Sequence, residues 1–214
     1  MGYFLSSEEI RTLRRIFDPR IQTYAKGETV LHEIPEQPQI GLMLSGTVLL
    51  CAENELFERS ILGLFTQGDC FPCSLIEQTH DNVAYFQAKY PSTVAFIPWK
   101  NLLEFCITSP QWQKTLFLLL DSHLGPKNLS QNFILHQRSI RSRLLYFFRE
   151  QALRQQSNTI RVPIPFSDLA EFLAVERTAM MRELRRMKED GLIEGKQRSL
   201  TLLCPTGISH TSLL

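Results

Sequence analysis

The spacing of apolar residues changes character twice along the chain. Near the N-terminus, SSEEIRTLRRIF places Ile10, Leu13 and Phe17 on one face of a helix, with Ser6 or Ser7 positioned to cap it. From Ile21 to Ile97 the chain breaks into short β-type runs, TVLH, IGLMLSGTVLLCAE, RSILGLFTQG and STVAFIP. The turn sequences PEQPQ, GD and THDN separate them at intervals of about ten residues, which predicts an antiparallel β-sandwich or barrel. After Pro98 the period becomes helical. WKNLLEFCI predicts a short helix, and a longer pattern runs from Gln111 through Leu116, Leu119, Leu120 and Leu124 to Phe133 and Leu135. So many leucines on one helix require a partner surface, either the barrel or a second copy of the same helix. Gly125 and Pro126 interrupt this pattern, and because proline removes a backbone hydrogen bond the helix is expected to bend or break there.

A third pattern follows in FSDLAEFLAVERTAMMRELRRMKEDGLIEGKQRSLTLL. It predicts a short helix over Ser167 to Leu173, a tight turn around Ala174 to Glu176, and a longer helix over Arg177 to Asp190 stopped by Gly191. A two-stranded wing then turns near Gly195. This is the order of a winged helix-turn-helix. Leu169, Phe172, Leu173, Val175, Met180, Leu184 and Met187 have the spacing that packs the second helix across the first, which leaves Arg177, Thr178, Met181, Arg182 and Arg185 on the outer face. The N-terminal half of such a helix enters the major groove, where arginine bonds bidentately to guanine O6 and N7. Ser167 at the start of the first helix and Lys196 and Arg198 in the wing complete the candidate DNA-contacting set. The competing reading is an ordinary helical hairpin with a basic surface.

Charge favours the first reading. The 214 residues carry a net charge of only +1, but residues 138–214 hold 13 Lys and Arg against 8 Asp and Glu, while residues 1–137 hold 10 against 14. The basic third suits a polyanion. The longest purely apolar runs, such as LFLLL at 116–120, fall far short of the roughly 18 residues of a bilayer helix, and the N-terminus lacks a signal peptide's apolar centre, so a cytoplasmic protein without a membrane partner is expected. MGYFLS matches the short myristoylation pattern, but nothing basic or amphipathic supports it.

The five cysteines, at 51, 70, 73, 106 and 204, are odd in number and scattered, against a disulfide framework. Cys70 and Cys73 form one C-x-x-C. No second pair exists, and neither His80 nor His123 supplies partner spacing, so no metal site is predicted. A thioredoxin-type pair would sit where a strand meets a helix, whereas CFPC reads as β before and loop after, and the two thiols read best as small buried hydrophobes. No Ser-His-Asp, paired-carboxylate or phosphate-loop constellation is readable, and an enzyme is not expected.

RTAMMRELRRMKEDGLI resembles the recognition helix of the cyclic-AMP receptor protein and fumarate-nitrate regulator (CRP/FNR) family of bacterial transcription factors. GTVLL at 46–50 and QGD at 67–69 resemble landmarks of that family's β-roll, the leucine-rich helix its dimerisation helix, and RSIRSRLLYFF the first helix of its DNA-binding domain. The resemblance implies an α+β chain: a cupin-like β-roll of the cyclic-nucleotide-binding type over 1–108, a long dimerisation helix and hinge over 109–137, and a winged helix-turn-helix over 138–214. It implies a homodimer, paired through Leu116, Leu119, Leu120, Leu124 and Phe133, that binds a palindromic double-stranded DNA operator, meets RNA polymerase and changes conformation with a signal. Arg177 and Arg182 match the two arginines that touch guanine and its neighbouring backbone. Thr178 stands where a glutamate able to accept from cytosine is common, and Glu176 stands at the cap position usually held by serine, where it is expected to cap less well.

The resemblance also makes sense of CFPC. Cyclic-nucleotide members follow G-D with roughly F-x-G-E and, about ten residues on, an R-S pair for the phosphate. Here Pro72 and Cys73 replace the glycine and the glutamate, and Asn82 and Val83 cannot neutralise a phosphate, so cyclic nucleotides are not expected. An iron-sulfur cluster would need N-terminal cysteines, which residues 1–50 lack, and a haem would have only His80 nearby. No cofactor is assigned. An uncharged or weakly polar small-molecule effector touching Cys70, Phe71, Pro72, Cys73 and Asn128 ranks first, a thiol signal second, and no effector third. The alternative function is a ligand- or redox-sensing interaction protein that works through the β-roll without specific DNA binding.

Overall fold

The computed structural model describes residues 7–75, 82–108 and 134–203. The chain divides into two compact units, Met1–Asn132 and Phe133–Leu214. The leucine-rich helix, with Leu116, Leu119, Leu120, Leu124, Asn128 and Phe133, and the loop holding His80 lie outside the described residues.

The first unit opens with α1 (Ser7–Phe17) and continues through β1 (Arg20–Tyr24), β2 (Thr29–Leu31), β3 (Gln39–Ser45), β4 (Thr47–Asn54), β5 (Arg59–Thr66), β6 (Cys70–Pro72), β7 (Asn82–Ala88) and β8 (Ser92–Pro98) to α2 (Trp99–Thr108). The strands make two antiparallel four-stranded sheets, ordered β1-β8-β3-β6 and β2-β7-β4-β5. Period-two alternation gives the first sheet two buried faces. Ile40, Leu42, Cys70, Ala95 and Ile97 join Ile10 and Leu13 of α1 and Leu102 of α2 in one core. Met43, Phe71, Val94 and Phe96 meet Val48, Leu50, Phe65 and Phe86 of the second sheet in another.

The run IGLMLSGTVLLCAE, which reads as one strand, is two strands in different sheets. The chain crosses over at Gly46, whose φ of +84° suits glycine. A β-carbon there would lie 2.3 Å from Ser92 Oγ and 2.4 Å from the Pro91 carbonyl oxygen. Ser92, itself buried, holds the corner: its hydroxyl accepts from the Thr47 N–H at 3.0 Å and donates to the Tyr90 carbonyl at 2.7 Å.

The second unit contains α3 (Ile140–Gln155), β9 (Thr159–Arg161), α4 (Phe166–Phe172), α5 (Arg177–Glu189), β10 (Ile193–Lys196) and β11 (Ser199–Leu202). Ser139 caps α3, its hydroxyl accepting from the Ser142 N–H at 3.1 Å. Leu144, Phe147, Leu169, Phe172, Met180, Leu184 and Met187 are buried, and the Phe147 and Phe172 rings meet edge to face at 5.9 Å. Two details refine the sequence reading. The wing has three strands, ordered β10-β11-β9, because Thr159–Arg161 adds to β11; three residues are too few to display an alternation. The hairpin turn itself falls at Gln197 (φ +52°) and Arg198, two residues past Gly195, which lies within β10 opposite Leu200.

Candidate nucleic-acid interface

The helix-turn-helix is built from local chemistry. Beyond α4 the chain reverses through Ala174, at φ +50°, and enters α5 at Glu176. The Glu176 carboxylate accepts from the N–H groups of Thr178 and Ala179, both at 2.6 Å, and so satisfies two of the donors a helix start leaves without partners. Hydrogen bonds from Thr178, first its backbone N–H and then its hydroxyl, together with that of Ala179, hold this carboxyl below its ordinary value. Glu176 therefore caps the helix through both of its carboxylate oxygens.

With Met180, Leu184 and Met187 buried beneath α5, the outer face presents Arg177, Thr178, Met181, Arg182 and Arg185, all exposed. Arg185 pairs with Glu189 at 3.0 Å, and Lys188 Nζ donates to the Gly195 carbonyl at 2.7 Å, tying the helix to the wing. Ser167 is exposed and donates to Asp168 Oδ1 at 3.2 Å. Lys196 is exposed, and Arg198 is half-buried.

Sequence reasoning missed two residues that position this face. Arg141 of α3 pairs with Glu183 of α5 at 2.5 Å and with Asp190, just past its end, at 2.7 Å. Arg143 donates to four backbone carbonyls: Leu135 (3.0 Å) and Gln137 (3.2 Å) on the segment entering the unit, and Leu173 (2.9 Å) and Ala174 (3.1 Å) in the turn between α4 and α5. The available signal was the basic spacing of RSIRSR, which does not name partners.

The CFPC stretch does not form one wall. Cys70 faces the core shared with α1 and α2, Phe71 and Cys73 face the core between the sheets, and Pro72 is half-buried. Phe71 stacks on Phe86 at 4.3 Å, with Phe65 at 5.3 Å from the first ring and 5.7 Å from the second, so three phenylalanines fill this part of the interior. The two thiols are thus both buried and pack into separate apolar cores. Burial pushes the Cys73 thiol up to about 12, away from the thiolate that oxidation requires. Among the described residues no group of three or more His, Cys, Asp or Glu is placed to hold a metal, and no helix is long and apolar enough to cross a membrane.

Residues 142–209 match the family model of the Crp-like helix-turn-helix domain. The second unit thus carries a Crp-like helix-turn-helix domain, and over the whole chain the likeness to solved structures is one of fold. Solved structures share the fold at low identity. CooA from Carboxydothermus hydrogenoformans, in a double-mutant form, is 20% identical, with 94% of this chain and 93% of that chain covered and a TM-score of 0.71. FixK2 from Bradyrhizobium japonicum is 17% identical over 86% of this chain and 92% of that chain, with a TM-score of 0.69. The regulator CLP of Xanthomonas campestris is 16% identical over 90% and 98%, with a TM-score of 0.60. A sequence search of curated proteins finds no match.

Proposed function

We propose that the protein is a cytoplasmic, homodimeric transcription regulator in which α5 reads the major groove of a palindromic operator, the wing holds its phosphates and RNA polymerase is the further partner. In this reading residues 1–108 sense a signal, residues 109–137 dimerise through the leucine-rich helix and residues 138–214 bind DNA. The observation that carries it is the outer face of α5, where Arg177, Thr178, Met181, Arg182 and Arg185 stand exposed above a helix fixed by the Glu176 cap and the Arg141 ion pairs.

The signal acts through the β-roll. CLP is described as responsive to c-di-GMP, a small molecule. In this chain the buried polar residues of the described roll are Thr47, Asp69 and Ser92, with no Arg or Lys among them. An effector here is uncharged or weakly polar, and it meets Phe71, Pro72 and Cys73 on the interior side, with Cys70 behind them and Asn128 on the dimer helix.

The test is DNA binding by the full chain on a site selected from random duplexes. Arg177→Ala is expected to lose roughly 1–3 kcal/mol on that site and to relax specificity at one base pair. Lys196→Ala is expected to weaken all sequences alike and reduce the salt slope by about one. Unchanged affinity in Arg177→Ala would show that α5 is not the reading helix.

A further inference from the structure

Met181 is out of place on a surface made for phosphates. It stands four residues after Arg177 and four before Arg185, on the same stripe of α5, and it is 42% exposed. A thioether chain offers nothing to a phosphate oxygen. Beside it an open hollow of about 350 Å³ lies between α5 and the wing, walled by Phe166, Leu184 and Leu200 and rimmed by Arg185 and Lys188. Leu184 and Leu200 are themselves buried, so the apolar wall runs from the core of the unit out to the arginine-bearing face.

The one bulky apolar group on the base edges of the major groove is the C5 methyl of thymine. Apart from the small C5–H of cytosine, the other features there are hydrogen-bond donors or acceptors. Setting a cytosine amino group against Met181 would strip it of water and return no hydrogen bond, which is unfavourable. We infer that Met181 and the apolar wall beside it read a thymine methyl group in each half-site, so that specificity at that base pair comes from a hydrophobic contact flanked by arginines. Arg185 and Lys188 supply the charge complementarity that brings DNA to this rim, although Glu189 shares Arg185. The inference rests on the DNA-binding reading above and deepens it by naming the base.

The experiment uses the full chain and the selected operator. Each thymine is replaced singly by deoxyuridine, which removes the methyl and nothing else, and binding is followed by fluorescence anisotropy. One thymine per half-site is expected to show a loss of about fourfold on replacement, the effect of one buried methyl. Met181→Ala, a change at an exposed helical position that favours the helix, should bind the parent operator more weakly by a similar factor and lose nothing further on that deoxyuridine. The inference is overturned if no thymine shows the effect, as when the hollow takes a small molecule instead. It is equally overturned if Met181→Ala still senses the missing methyl, since another residue such as Thr178 then reads it. In both cases the DNA-binding reading stands. Failure to enrich any sequence would sink that reading and this inference together.

Discussion

Glu176 shows how one side chain fixes the start of α5. Its two carboxylate oxygens take the N–H groups of Thr178 and Ala179, and its negative charge sits at the positive end of α5. The folded protein holds this carboxyl below its ordinary value. The contribution to stability is therefore present at pH values above the ordinary carboxylate value and is lost as pH falls through the lowered one. Glu176→Ala is expected to lower the midpoint of thermal unfolding by a few degrees at neutral pH, and the gap to wild type should close on acidification. A gap that persists unchanged in acid would mean that the carboxylate does not act as the cap. The two CFPC thiols show what was readable at this scale. Cys70 lies on β6 while Cys73 opens the single 3-10 turn of Cys73–Leu75 that follows, so strand alternation accounts for the first thiol and not for the second. What the strand reading could not supply is the identity of the neighbours. Phe65, Phe71 and Phe86 come from three strands far apart in sequence.

At the scale of elements, the periods of two and 3.6 were enough to find both β-type and helical segments, because each buried face leaves a repeated signature. Corners and short strands leave none. The break at Gly46 depends on Ser92 and Pro91, more than 40 residues away, and β9 becomes a strand only because β11 lies beside it. Arg143 belongs with these features, since its partners are backbone carbonyls that carry no side-chain signal. By bonding Leu135 and Gln137 on one side and Leu173 and Ala174 on the other, it clamps the entry segment of the second unit to the turn that aims α5. Removing it leaves four carbonyls short of a charged donor, so Arg143→Ala is expected to destabilise the protein by about 1–3 kcal/mol in denaturant unfolding and to weaken operator binding. Arg143→Lys should rescue little, because one ammonium cannot span carbonyls on two segments as the guanidinium fork does. Wild-type stability in both variants would remove the clamp from this account.

For the whole molecule, charge and core composition divide the work between the two ends of the chain. The basic C-terminal third suits a polyanion, while the N-terminal unit encloses aromatic rings and neutral or acidic polar groups. Asp69, almost wholly buried, spends its carboxylate on the turn, accepting from the Thr66 N–H at 2.8 Å and the Thr66 hydroxyl at 3.2 Å. A cyclic nucleotide entering this interior would surrender the hydration of its phosphate and displace stacked phenylalanines, and both steps oppose binding. Regulation by any ligand requires a difference in its affinity for two conformations of the protein, and a coupling of about 1–3 kcal/mol is typical. A nucleotide that does not bind supplies none. Titration of the full chain with cyclic AMP or cyclic GMP is therefore expected to release no heat and to leave operator affinity unchanged, whereas an uncharged aromatic or aliphatic compound that displaces the Phe71 ring should give a binding heat and shift operator affinity. Tenfold tighter operator binding with micromolar cyclic AMP would overturn this assignment, because the phosphate would then be held by groups outside those that line the described interior.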